Sequence, residues 1–279
     1  MFLYSWFSYD GPSLNPEISD TILLGTSKCN SYLCNITSVN IAGMQITLSN
    51  HLKLLGVTFD SNLNLNKQVS SICRSSYLHL RALCHIRRTI NDDIAKSIGQ
   101  ALVSSRFDSA NSILYGVSQF NISKLQKVQN TLARAVLRAC NCTDATSLLA
   151  KLHWLSIERR IVFKLATLTF KSLDCGQPSY LSVLLEGFIP VRALWSSSDA
   201  TRLAVPRSKT RFGSRAFRIA SPTVWNSLPV YIVSQICPVL STSKDILFRS
   251  VFIVSWFSIH APPIHCLFMV TFVRNINLL

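Results

Sequence analysis

The sequence predicts a mainly α-helical protein with a small β element ahead of the helices and a small mixed module behind them. Three observations point there. Residues 20–60 alternate apolar and polar side chains between turn signals. From residue 64 to residue 186 the apolar side chains recur at helical spacing. Residues 191–250 interleave Arg with aromatic side chains and are punctuated by Pro206, Gly213, Pro222 and Pro229. At 48% hydrophobic over 279 residues, the chain has ample apolar surface to bury, which excludes global disorder. Nine Gly and ten Pro without a period exclude collagen-like and low-complexity classes.

In the β element, residues 20–26 are a short apolar run that ends near Gly25. Residues 39–48 alternate around Gly43, as the two arms of a hairpin do. Residues 51–60 (HLKLLGVTFD) form another apolar run, closed by the turn cluster Asp60-Ser61-Asn62.

The first helix spans about residues 67–88. At 100° per residue from Lys67, the side chains of Val69, Ile72, Cys73, Leu80, Leu83 and Cys84 fall between about 140° and 260°, a buried face. Lys67, Arg74, Arg81 and Arg88 recur every seven residues and form a strip about 60° wide, expected beside that face. Leu78, Ile86 and Arg87 fit neither group. Asn91-Asp92-Asp93 caps a second helix, with Ile94, Ile98, Ala101 and Leu102 expected inward. A third helix covers residues 121–140, with Asn121 or Ser123 as cap. Leu125, Val128, Leu132, Ala135, Val136 and Ala139 share one face, and Lys124, Lys127, Arg134 and Arg138 share another next to it. A fourth runs over residues 157–173, capped by Ser156 and stopped by Cys175-Gly176-Gln177-Pro178. It is apolar nearly all round, apart from a narrow strip of Arg160, Lys164 and Lys171.

Charge sharpens this picture. The formal net charge is +15, and residues 61–250 carry 25 basic against nine acidic side chains. A field of that sign attracts polyanions, nucleic acid first and anionic membrane second. Solubility surfaces mix signs. The helical strips contain no carboxylate, so nucleic-acid contact is the better reading of them and plain solvation the alternative. In residues 191–250, Arg192, Arg202, Arg207, Lys209, Arg211, Arg215 and Arg218 stand among Trp195, Phe212, Phe217 and Trp225. Arg with aromatics serves single-strand binding; equally, the aromatics serve as the core of a small module with Arg at its rim.

Residues 251–273 are 23 positions without a charge, flanked by Arg249 and Arg274 and broken by Pro262-Pro263. A tail anchor is the minority reading of this stretch, and an apolar tail packed on the bundle or disordered is the other. Residues 1–9 are apolar but lack the basic and small-residue flanks of a signal peptide. Nine cysteines without a C-x-x-C pair read as reduced, mostly buried thiols of an intracellular protein. Cys140-Asn141-Cys142 has no second ligand pair at zinc-site spacing. Neither a P-loop, a G-x-S-x-G, an H-E-x-x-H nor a D-x-D occurs, so no catalytic residue and no metal ligand is assigned.

Several stretches, in order, resemble the late palm, thumb and C-terminal region of reverse transcriptases from non-LTR (LINE, jockey-like) retrotransposons. They are residues 14–20 (LNPEISD), 22–26 (ILLGT), 55–63 (LGVTFDSNL), 102–108 (LVSSRFD), 111–116 (NSILYG), 124–130 (KLQKVQN), 152–155 (LHWL), 205–207 (VPR), 213–217 (GSRAF) and 225–229 (WNSLP). The resemblance covers about residues 13–250. The family's metal-binding Tyr-Ala-Asp-Asp does not occur, and Ile18 stands where the family usually has Lys. Residues 251–279 match no part of the family. The resemblance therefore implies a post-catalytic fragment of an RNA-directed DNA polymerase, not an enzyme by itself. It implies a palm-edge β-hairpin remnant (1–63), a helical thumb-like bundle (64–190), a small C-terminal module (191–250) and an apolar tail (251–279). Leu55, Gly56 and Asp60 would be primer-grip-like. The complete family enzyme uses Mg²⁺; this chain would need no cofactor. The partner would be an RNA or DNA template–primer, held by Lys67, Arg74, Arg81, Arg88, Lys124, Lys127, Arg134, Arg138, Arg160, Lys164, Lys171, Arg207, Arg211 and Arg215. The expected place is intracellular, cytoplasmic or nuclear, with a membrane through residues 251–273 as the minority alternative.

Overall fold

In the computed structural model, which describes residues 20–25, 37–41, 44–189 and 202–228, the alternating run around Gly43 folds as a hairpin. Strands β1 (Thr21–Ile22), β2 (Ser38–Ile41) and β3 (Met44–Ser49) form a small sheet in the order β1-β3-β2. β2 and β3 are antiparallel with Ile41 opposite Met44, and β1 runs parallel to β3.

Residues 51–60, read as one apolar run, form two strands. β4 (His51–Leu54) and β5 (Val57–Asp60) pair as a second antiparallel hairpin. Its two-residue turn is Leu55-Gly56, with φ of 48° and 82°. Paired positive φ is the hairpin turn that matches strand twist. Gly56 is the ordinary residue there; Leu55 is not, which hid the turn from the sequence pattern. β5 then delivers the chain to the first helix. The Asp60 carboxylate accepts from the backbone N–H groups of Asn64 (3.0 Å) and Leu65 (2.7 Å). It thus satisfies donors at a helix start that has no side-chain cap of its own.

The helices are α1 (Asn66–Ile86), α2 (Asp92–Gly99), α3 (Ser105–Asp108), α4 (Gln119–Leu137), α5 (Ala145–Leu152), α6 (Ile157–Asp174), α7 (Ser179–Ser182) and α8 (Phe217–Asn226). The described chain is mainly helical with two small sheets. One core joins α1, α2, α4, α5 and the start of α6 around Leu65, Val69, Leu83, Leu125, Leu132 and Trp154. Full burial of side chains of this size stabilises by about 1.5–3 kcal/mol each, before chain entropy. Helix α4 is the centre of that core, with Val128, Leu132, Ala133 and Val136 wholly enclosed.

The second helix departs from its expected phase. Ala95 and Gly99 face inward, while Ile94, Ala101 and Leu102 are exposed. Two causes act together. A Cβ on Gly99 would lie 3.3 Å from Leu132 Cδ1, so small residues make the closest approach to α4. A π-helical turn at Gln100–Ser104 then shifts the phase of everything after it. Helix α4 also starts two residues before the expected Asn121. That residue is buried rather than capping, and its Nδ2 donates to Asn66 Oδ1 (2.7 Å) and Asn64 O (3.2 Å).

Helix α8 closes the described part of the chain. It packs on α6 through Ala220 and Val224 against Leu165 and Ala166, and the hydroxyls of Thr169 and Ser221 are hydrogen-bonded at 2.5 Å. Trp225 is buried and Phe217 half-buried, so these two aromatics belong to the interior. Phe212 is exposed, and Trp195 lies outside the described residues. Among the described residues no helix is long and apolar enough to cross a membrane. Residues 251–273, the expected membrane segment, lie outside them.

Candidate nucleic-acid interface

Helices α1 and α4 run side by side and parallel. Asn121 meets Asn66 at their N-terminal ends. At the other ends Arg87 Nε donates to Ala135 O (3.1 Å) and Val136 O (3.2 Å). Their basic rows are the candidate interface, and the fold sorts the fourteen expected cations into two groups.

The first group points outward. On α1 the buried side chains are Val69, Ile72, Ser76, Leu80 and Leu83. Stepping 100° per residue, Lys67, Arg74 and Arg81 lie about 140–180° from the centre of that face. The row is therefore opposite the packed seam, not beside it as expected, and all three side chains are exposed. Arg88, also exposed, follows the helix end rather than extending the row. Lys127 on α4, Lys164 and Lys171 on α6, and Arg207 and Arg211 in the loop before α8 are exposed as well. Three ion pairs occur among the described residues, Arg87–Asp92, Arg160–Asp108 and Arg218–Glu186, and none involves these nine. Lys124 is half-buried, with Nζ 4.3 Å from the centroid of the exposed Phe120 ring. Its charge also acts on the Cys73 thiol, whose pKa burial raises and Lys124 partly lowers.

The second group is spent on hydrogen bonds to other parts of the molecule, although Arg138 itself stays exposed. Arg160 donates to both carboxylate oxygens of Asp108 (3.0 and 2.8 Å) and to Leu155 O (3.0 Å). The strip on its own helix holds no carboxylate, but a different element supplies one. Arg138 Nη2 donates to Arg87 O (3.2 Å) and Ile90 O (3.0 Å), and Arg134 Nη2 to Thr143 O (3.3 Å). Arg215 reaches Leu63 O (2.7 Å), Tyr115 O (3.1 Å) and Ile113 O (3.5 Å). Burial disfavours its charged form, and nearby Asp60 favours it. These four side chains join elements to one another.

The three residues that fitted no face or strip on α1 also find places. Arg87 is buried, while Leu78 and Ile86 are exposed. Arg87 caps the carbonyls at the end of α4 and pairs with Asp92. Leu78 and the exposed Tyr77 sit between Arg74 and Arg81, adding apolar and aromatic surface to the outward row. The helical spacing of 74, 77, 78 and 81 already carried that signal.

Of the hairpin residues, Leu55 is the exposed tip of β4–β5, at 96% exposure, while Asp60 is occupied by the backbone of Asn64 and Leu65. Among the described residues, no group of three or more His, Cys, Asp or Glu is gathered as a metal site. Comparison with protein families, curated proteins and solved structures finds no match to this chain.

Proposed function

We propose that this chain binds nucleic acid through the outward cations of α1, α4 and α6, as the C-terminal, non-catalytic part of a non-LTR retrotransposon reverse transcriptase. In this reading the bundle is thumb-like and lies along the sugar–phosphate backbone of a template–primer. The β4–β5 hairpin presents Leu55 near the primer end. The observation that carries the reading is the row Lys67, Arg74 and Arg81 with Lys127: exposed, directed away from the core and free of carboxylate partners among the described residues. Unneutralised charge in a row costs self-repulsion that a solvated surface avoids by mixing signs, and a polyanion relieves it. Contacts of this kind fix position without reading sequence.

The test is binding of the full chain to an RNA–DNA hybrid, followed by fluorescence anisotropy across a series of salt concentrations. The logarithm of the affinity should fall with the logarithm of salt with a slope steeper than about −4, since each neutralised phosphate contributes roughly −0.9. Absent binding, or binding indifferent to salt, would contradict the proposal.

A further inference from the structure

Helix α1 carries an aromatic ring beside its cation row. Tyr77 is 45% exposed, and among the described residues it makes no hydrogen bond and no ring contact. By helix geometry Arg74 lies about 4.5 Å before it along the axis and Arg81 about 6 Å after it. Both arginines are exposed and, among the described residues, hold no ion pair. Neither α1 nor α4 contains a carboxylate. We propose that the Tyr77 ring stacks on an unpaired base of a single-stranded nucleic acid, whose phosphates on either side of that base are held by Arg74 and Arg81.

This rests on the reading of the α1 row as a nucleic-acid interface and specifies what the row takes. Cations alone bind duplex and single strand alike, through phosphates. A duplex keeps its bases stacked on one another, so a ring on a helix face has nothing to stack on along its length. A single strand presents the face of every base, and an aromatic side chain accepts any of them. The placement of the three side chains suits that task. On the helical wheel Arg74 and Arg81 are both turned to the same, outer side of Tyr77, by about 60° and 40°. A strand following that ridge keeps its phosphates at the guanidinium groups and folds one base back onto the ring. Leu78, exposed between the same two arginines, widens the apolar surface there. Single exposed apolar residues are ordinary; unpaired cations three residues before and four after the ring are what set Tyr77 apart. On α4 the exposed Phe120 already has Lys124 Nζ over its ring, 4.3 Å from the centroid, which leaves Tyr77 as the unoccupied platform.

The test compares oligothymidylate with an abasic oligonucleotide of equal length, each bound to the full chain and followed by fluorescence anisotropy. The abasic strand keeps the phosphates and lacks the bases. The parent chain should bind the base-bearing strand about tenfold more tightly, the usual worth of one stacked base. Tyr77→Ala should lose that preference while its affinity for the abasic strand and its salt slope stay those of the parent. Tyr77→Phe should keep the preference, because the ring and not the hydroxyl does the stacking. A parent chain that binds both strands equally, or a Tyr77→Ala protein that retains the preference, would overturn the stacking and leave phosphate binding standing. A parent chain that binds neither strand would overturn the nucleic-acid reading itself, and the stacking with it.

Discussion

Replacing Arg87 with Met is expected to lower the unfolding free energy by about 3 kcal/mol, because carbonyls at the end of a buried helix lose their donor. The guanidinium serves Ala135 O, Val136 O and Ile90 O at once, and its side chain is only 7% exposed. A helix end leaves its last carbonyls without intrahelical partners, and a nearby arginine is a good donor to them. Met retains the apolar stem but offers no donor. The pairing with Asp92 adds little, since that carboxylate is 68% exposed and solvent screens it. Arg87→Lys should rescue poorly, because an ammonium cannot reproduce a planar fork aimed at several acceptors. The neighbouring Arg88 is exposed, so Arg88→Met should change stability by less than about 0.5 kcal/mol. Urea midpoints of the three variants at unchanged slope provide the measurement. Equal effects at 87 and 88 would refute the assignment.

The second large effect is expected at Arg215, which fastens the α8 segment to the bundle. Arg215→Gln should destabilise the docking of residues 217–226 by about 2 kcal/mol, the worth of charge-assisted bonds led by the 2.7 Å contact to Leu63 O. Gly116→Ala should act on the same joint from the other side. Gly116 has φ +70°, and a Cβ there would stand 2.8 Å from Arg215 Cγ, near the root of the side chain rather than its flexible end. Amide hydrogen exchange should accelerate in α8 while α1 and the centre of α4 keep their protection. Unchanged exchange in α8, or uniform acceleration everywhere, would contradict a local fastening.

These two arginines show where the sequence was legible and where it was not. The ends of α1 and α6 fell within two residues of their expected places, and the start of α4 two residues early. Apolar periodicity is a local property, and long helices repeat it often enough to be read. The hairpin around Gly43 was readable for the same reason, through its alternation. The hairpin inside residues 51–60 was not, since Leu55 carries no turn signal. The phase of α2 was lost at a π-helical turn and at small residues that pack by absence of volume. The cation rows themselves were visible, but not their employment. A helical wheel places Arg160 in a strip without a carboxylate, yet its partner Asp108 is 52 residues away in sequence. Arg215 is 152 residues from Leu63. The carbonyl and carboxylate partners of Arg134, Arg138, Arg160 and Arg215 come from tertiary structure, which composition does not encode. The thiols show the same limit. The described cysteines are mostly exposed, with Cys73 alone half-buried, against the expectation of buried thiols. Four of the five lie on outward helix positions or in turns, where burial preference is overruled by the placement of larger apolar neighbours.

The sorting of cations into outward and internally bonded groups is the centre of the account, and a paired substitution tests it. In one variant Lys67, Arg74, Arg81 and Lys127 are all changed to Gln; in the other, Arg215 alone is changed. The account predicts that the first keeps its urea midpoint while its salt slope on the RNA–DNA hybrid becomes shallower by about 3.6, at roughly 0.9 for each phosphate no longer neutralised. It predicts that the second keeps the slope and loses α8 protection. A fourfold variant whose salt dependence is indistinguishable from that of the parent chain would contradict it.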